Sequence, residues 1–512
     1  MPGPTSAWLD DAGPSVMNEG SFWRSVHALA DAPRPAFHMP GHGHRNPFSG
    51  ELAQVLDDRV YALDQSEMAG LDYLHEPNGA LAASQERAAR VFGADRSWYL
   101  VNGATGGNLA AIWAIARPNG KVLALRRSHQ SVHAALAIAG LEPRYLQPLP
   151  DVGLQSLFGI DVDGLRSALE STTDVVAVHV TSPDYYGYRL PLAQIATLCH
   201  AHDVPLIVDE AHGAHLGFVT GEQSALRAGA DLVVHSPHKA LGSLTQSAVL
   251  HLQGSRVDAD RVAEALVLLQ SSSPSALLTM SLDALVEELE RSGVATWTAQ
   301  AELGRWAAAR TGPDGEPLLS LRRPLPRGVS DTDPCKLVVD STRYGCTVRE
   351  LRQSLLQRGV RPEFTDQRNL VLSITVGTTR AAVETLLEAL CELAVAAPPA
   401  SIERTGGTLS LWPDLPAERG LPGRVALQAR RQVVPLDEAG GMIVAAPLTP
   451  YPPGIPLVLP GEVLSPALVC TIEAFLAQDV AVRGLVRTAG GGLAVRCVAS
   501  SPASIEPAAE TA

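Results

Sequence analysis

Two short stretches decide how this chain reads: Val208-Asp209-Glu210-Ala211-His212-Gly213-Ala214-His215 and Ser236-Pro237-His238-Lys239. Each follows an apolar run, Val204 to Val208 in the first case and Leu232 to Val234 in the second. A strand buried on both faces of a parallel sheet carries such a continuous run and delivers its polar residues at its C-terminal end. Ligand chemistry in α/β sheets sits at those ends. The first run ends in an acid, Asp209. The second leads to a lysine, Lys239, 30 positions further on.

The same alternation of strand and helix extends on both sides. Tyr99 to Val101, Val122 to Leu125, Val175 to Val180 and Ser247 to Leu252 predict strands. Ala80 to Phe92, Leu109 to Ala116, Val132 to Ala139 and Leu192 to His202 predict helices. The connections are too long for hairpins, so the sheet is expected to be mostly parallel and the fold α/β. Two helices, Leu282 to Arg291 and Thr296 to Arg310, are expected to leave this first domain. The expected division is an N-terminal arm (1–35), a large domain (36–310) and a small α/β domain (311–395). A linker rich in Ala, Pro, Gly and Arg (396–424), a C-terminal α+β domain (425–499) and a disordered tail (500–512) follow.

Composition narrows the function. The 512 residues are 46% hydrophobic and 18% charged, which suits a globular protein with a large core. A net charge of −14 argues against a nucleic-acid or anionic-membrane surface. The six cysteines are scattered without a C-x-x-C pair, which points to reduced thiols in a cytoplasmic protein. Met1 to Ser21 lacks the pattern of a signal peptide, and no apolar run is long enough for a membrane helix.

An acid and a lysine at neighbouring strand ends are what pyridoxal phosphate requires. The lysine carries the cofactor as a Schiff base, and the acid keeps the pyridine nitrogen protonated. A partly desolvated lysine has a depressed pKa and is nucleophilic enough for this role. Asn102-Gly103-Ala104-Thr105-Gly106-Gly107-Asn108 lies between a predicted strand and a predicted helix. Free backbone N–H groups and the helix dipole make that arrangement an anion site, to which Thr105 adds a hydroxyl. It is not a G-x-G-x-x-G dinucleotide fingerprint. His129 follows the Val122–Leu125 run and is placed to lie over a cofactor ring.

Other readings are weaker. Asp209-Glu210-Ala211-His212 spells a helicase box, but the chain has no P-loop to accompany it. His212 and His215, with His200 and His202 nearby, suggest zinc. Zinc needs three or four convergent ligands, and this is not the helical H-E-x-x-H arrangement. His38, His42 and His44 lie in a Pro/Gly loop without an adjacent acid or cysteine. No metal is therefore expected.

Taken together, the motifs resemble those of the bacterial Orn/Lys/Arg decarboxylase family, pyridoxal-phosphate enzymes of the aspartate-aminotransferase fold. The resemblance spans about 20–498 in a short form without a receiver-like domain. It includes Pro40-Gly41-His42, the Asp64/Ser66/Glu67 and Gly70–His75 segment, the Asn102–Asn108 turn, and Arg126, His129 and Ser131. It continues through Asp209–His215, Ser236–Lys239, Ser272–Ser275 and the closing Pro450–Pro456 and Pro460-Gly461-Glu462.

The resemblance implies α-decarboxylation of arginine, lysine or ornithine, with a place in polyamine biosynthesis. Lys239 would be the Schiff-base lysine, Asp209 the partner of the ring nitrogen, His129 the stacking ring and His212 a neighbour of the cofactor. Ala104, Thr105, Gly106, Ser236 and His238 would surround the phosphate. Ser272 would reach the phosphate of a second subunit, which implies a homodimer with shared sites. Glu363, Asp366 and Glu462 are the acids considered for the distal cation of the substrate. The chain departs from the family pattern at Ala104, where serine is usual, at Gly43-His44, where Lys-Gly is usual, and at Ala276, where tyrosine is usual. Those departures keep alive another pyridoxal-phosphate reaction (aminotransferase, oxidase or lyase) and a homologue that has lost catalysis.

Overall fold

The computed structural model describes residues 21–31, 37–67, 71–151, 156–320, 325–366, 368–396, 418–451, 454–477, 480–488 and 490–499. The tail, most of the arm, most of the linker and Gly70 lie outside the described residues. The main sheet contains β1 (Arg96–Leu100), β2 (Lys121–Leu125), β3 (Glu142–Leu146), β4 (Val175–Thr181), β5 (Leu206–Asp209), β6 (Leu232–His235) and β7 (Ala248–Leu252). Their order is β1-β7-β6-β5-β4-β2-β3. β2 runs parallel to β3 and β4, and β5 parallel to β6. β7 is antiparallel to β6 and to β1. The sheet is mostly parallel, as the long connections require, with an antiparallel edge. Every residue of β5, β6 and β7 is buried, which is why these strands read as mostly apolar runs.

Helices along the same stretch of chain include α1 (Phe22–Asp31), α2 (Ala80–Phe92), α3 (Gly103–Ala114), α4 (Gln130–Ala139), α5 (Leu192–Ala201), α6 (Pro237–Ala240) and α7 (Ala276–Ala308). Two differ from expectation for one physical reason. The glycines of Asn102–Asn108 read as a turn, yet α3 already begins at Gly103. A Cβ on Gly107 would lie 2.7 Å from Val234 and 2.9 Å from Leu100, so this glycine serves close packing onto the sheet. Likewise Leu282–Arg291 and Thr296–Arg310 belong to a single helix, α7. Gly293 lies inside it, and its absent Cβ leaves room for Phe218, 3.1 Å from where that atom would stand.

The chain divides into two compact units, Met1–Ile115 with Ile207–Thr298, and Ala116–Leu206 with Ala299–Ala512. In the second unit, β8 (Lys336–Asp340), β9 (Phe364–Thr365) and β10 (Asn369–Ser373) form an antiparallel sheet in the order β8-β10-β9. The Thr347/Glu350 capping box starts the helix Val348–Gln357 beside it. Further on, Arg431–Pro435, Leu493–Val498 and Val486–Arg487 form a second antiparallel sheet. Val338, Phe364 and Val371 share a core with Ile455, Leu457, Leu468, Ile472, Phe475 and Cys497. The small α/β part and the C-terminal part of the chain are therefore held by common apolar packing.

Candidate active site

In the first unit, β5 ends on Asp209, which is 3% exposed. Two donors hold its carboxylate. Asn108 Nδ2, from α3, donates to one oxygen at 2.9 Å, and the Ala211 N–H donates to the other at 3.1 Å. A buried carboxylate needs such donors to satisfy its oxygens. After β6, Pro237 at the first position of α6 starts a single helical turn that presents Lys239. Lys239 Nζ lies 3.0 Å from His212 Nε2. Asp209, His212 and Lys239 thus belong to one compact unit, with the acid anchored and the amine paired to an imidazole.

The same unit carries the residues expected around a phosphate. Ala104, Thr105 and Gly106 form the first turn of α3, and Asn102 at its N-cap makes no side-chain cap bond. Backbone N–H groups at that helix start suit an anion. Ser236 is 1% exposed, and its Oγ has no hydrogen-bond partner among the described residues. A buried hydroxyl without a partner is costly, and a phosphate oxygen answers it. These features fit pyridoxal phosphate. His238 lies 2.7 Å through Nδ1 from the Ser247 carbonyl, and burial pushes its pKa down, so it faces its surroundings as a neutral ring. The Ser271–Ser273 turn is exposed and tied to the Tyr73–His75 segment: Tyr73 Oη donates to the Ser272 carbonyl at 3.3 Å, and His75 Nε2 bonds the Ser271 carbonyl at 2.8 Å.

A row of side chains starts next to Asp209. Glu210, 1% exposed, accepts the Ala225 N–H at 2.9 Å and meets His235 Nε2 at 2.8 Å. His235 Nδ1 lies 3.1 Å from His251 Nε2, and His251 Nδ1 lies 2.7 Å from Ser97 Oγ. Burial holds His251 well below the usual histidine range, so it is neutral. This row escaped the sequence reading because it crosses β6, β7 and β1, whose pairing follows no simple order along the chain.

In the second unit, His129 is the N-cap of α4. Its Nδ1 accepts the Ser131 N–H at 3.2 Å and meets Ser131 Oγ at 2.8 Å. The acids considered for substrate recognition also lie in this unit, and none presents an uncommitted carboxylate. Glu363 pairs with Lys336 at 2.7 Å and accepts from Ser373. Asp366 accepts from Tyr186 Oη and from the N–H groups of Arg368 and Asn369. Glu462, 3% exposed, pairs with the fully buried Arg126 at 3.0 Å and accepts the Leu459 N–H at 2.7 Å. Each of these three carboxylates is thus engaged by other residues of the chain.

Several of the histidines considered for metal have protein partners. His212 meets Lys239, and His215 packs on Trp297 at 4.8 Å between ring centroids. His42 Nε2 lies 3.3 Å from Asp64, and His42 Nδ1 accepts the His44 N–H at 3.0 Å. No helix among the described residues is long and apolar enough to cross a membrane.

Comparison with known proteins identifies the family. Residues 21–304 match the model of the Orn/Lys/Arg decarboxylase major domain, and residues 424–482 match that family's C-terminal domain. The uncharacterized protein YaaO of Bacillus subtilis is 33% identical over 88% of this chain and 92% of its own length. Arginine decarboxylase of Halalkalibacterium halodurans is 32% identical over 84% of this chain and 88% of its own. Among solved structures, the lysine decarboxylase LdcF of Francisella novicida covers 94% of this chain and 81% of its own, with a TM-score of 0.77 at 19% identity, a likeness of fold. The chain belongs to the Orn/Lys/Arg decarboxylase family, enzymes that remove the α-carboxyl group of a basic amino acid.

Proposed function

We propose that the chain binds pyridoxal phosphate on Lys239 and decarboxylates arginine to agmatine and carbon dioxide. The observation that carries the cofactor reading is the first unit's own constellation: Asp209 anchored by Asn108, Lys239 Nζ at 3.0 Å from His212, and the orphaned Ser236 hydroxyl. The preference for arginine rests on the relatives of similar length that are named arginine decarboxylase.

Bound pyridoxal phosphate would supply the electron sink that takes up the electron pair left at Cα when carbon dioxide departs. The chain's own residues do the rest. Asp209 holds a negative charge for the ring nitrogen, and Asn108 keeps that carboxylate in place. His212 Nε2 accepts a proton from Lys239 Nζ and returns it, so the pair can deliver a proton to Cα after carboxyl loss. The α3 N-terminus, Thr105 and Ser236 would bind the phosphate. Ala104 contributes only a backbone N–H where the family usually has a serine hydroxyl. His129 would cover the ring. We further propose a cytoplasmic homodimer in which the Ser272 turn serves the partner's site, with a product that enters polyamine synthesis.

Lys239→Ala is the test. The purified wild-type chain should show the visible band of a lysine-bound cofactor and release carbon dioxide from arginine without a 2-oxo acid. The variant should lose both. Full activity in Lys239→Ala sinks the reading, and dependence on a 2-oxo acid turns it to aminotransfer. A mass-spectrometric screen with arginine, lysine and ornithine decides the substrate.

A further inference from the structure

The closing motif, Pro450 to Glu462, has no role in the chemistry above, yet it is fastened to the residues around His129. Arg126, fully buried, donates through Nη1 to the Pro456 carbonyl at 3.0 Å. Through Nη2 it reaches the Leu457 carbonyl at 3.1 Å and Glu462 at 3.0 Å. Glu462 in turn accepts the Leu459 N–H, so the segment is closed on itself as well as on Arg126. The Gln130 N–H, at the start of α4, donates to the Gly454 carbonyl at 3.1 Å. Gly454 has φ +96°, and a Cβ there would stand 3.3 Å from both Cδ2 and Nε2 of His129. The backbone at Gly454 therefore lies against the imidazole, whose other nitrogen is already fixed by Ser131.

We infer that Gly454 is a positioning residue for His129, and that the Arg126–Glu462 clasp sets its place. The C-terminal segment would in this way fix the orientation of the ring that covers the cofactor. This rests on the role proposed above for His129. It also explains the motif. Glycine is required where φ is positive and a side chain would press on the ring. Glu462 is required to hold the segment, not to bind substrate.

The test is a double-mutant cycle between Gly454→Ala and His129→Ala, read as the dissociation constant for pyridoxal phosphate. Gly454→Ala should weaken binding about tenfold in the wild-type background, a change of about 1.4 kcal/mol. In the His129→Ala background the same substitution should change it less than about twofold. Equal effects in both backgrounds overturn the inference. Gln130→Pro is a second variant that keeps the fold. Proline suits the first position of a helix, and His129, at φ −58° and ψ 148°, has the backbone that precedes proline. It removes only the N–H that holds Gly454, and should weaken binding about fivefold, the size of one hydrogen bond. Unchanged affinity in Gln130→Pro also overturns the inference. A third arm uses the cofactor-free chain with 15N-labelled histidine: Gly454→Ala should shift the His129 ring resonances, and unshifted resonances overturn the inference. A wild-type chain that binds no pyridoxal phosphate sinks the proposed function instead, and this third arm still tests the positioning.

Discussion

Asp184 offers a measurable test of how burial acts in this fold. It lies in the second unit, partly buried, and its Oδ1 accepts the N–H groups of both Tyr186 and Tyr188 at 2.9 Å. Burial pushes its carboxyl from 3.8 up to about 6, against the pull of the Arg127 guanidinium and of the backbone N–H groups. An acid whose folded pKa lies above its unfolded pKa is bound to its proton more tightly in the folded chain. Its contribution is harmless below the unfolded value, and stability is lost as pH rises from 3.8 to about 6. The full loss is about 3 kcal/mol, an upper figure because the side chain keeps some contact with water. Asp184→Asn removes the titration and leaves an amide oxygen able to accept both N–H groups. Relative to wild type, the variant should gain about 2 kcal/mol of stability between about pH 4.5 and about pH 7.5. Equilibrium urea unfolding of both proteins at the two pH values, followed by tryptophan fluorescence, measures the difference. A stability difference that stays constant with pH refutes the assignment.

Other substitutions test the remaining parts. Asn108→Ala removes the side-chain donor to the buried Asp209 and should cost roughly 1.5–3 kcal/mol of stability in the cofactor-free chain, with weaker cofactor binding by dialysis. Glu462→Ala leaves Arg126 as an unpaired buried cation and should cost about 3–5 kcal/mol; a loss under about 1 kcal/mol in urea unfolding contradicts the buried pair. Gly107→Ala forces a methyl group against Val234 and Leu100 and should cost about 1–3 kcal/mol, seen as a lowered unfolding midpoint.

Much of the large sheet was legible because its strands are buried on both faces and so write themselves as apolar runs. Asp209 and Lys239 were legible for a related reason: a polar residue that ends such a run stands out. The long-range partners were not. Arg126 and Glu462 are 336 positions apart, and nothing local in either segment announces the other. Glu462 therefore looked like an acid waiting for a substrate, when its charge is answered inside the fold. The glycines of Asn102–Asn108 read as a turn, but Gly107 sits within a helix where Val234 and Leu100 come too close for a side chain. Asn108 stood in the quoted motif, and only the placement of α3 reveals what its amide does.

The buried row from Glu210 to Ser97 has a further consequence. His251 is neutral and carries a single ring proton. With that proton on Nε2, His251 gives to His235 and its bare Nδ1 accepts from the Ser97 hydroxyl. With the proton on Nδ1, both bonds run the other way: His235 gives to His251, and His251 gives to Ser97. Moving one proton across this ring reverses two bonds together, so the direction in which the Ser97 hydroxyl points reports the tautomer of a histidine on the neighbouring strand.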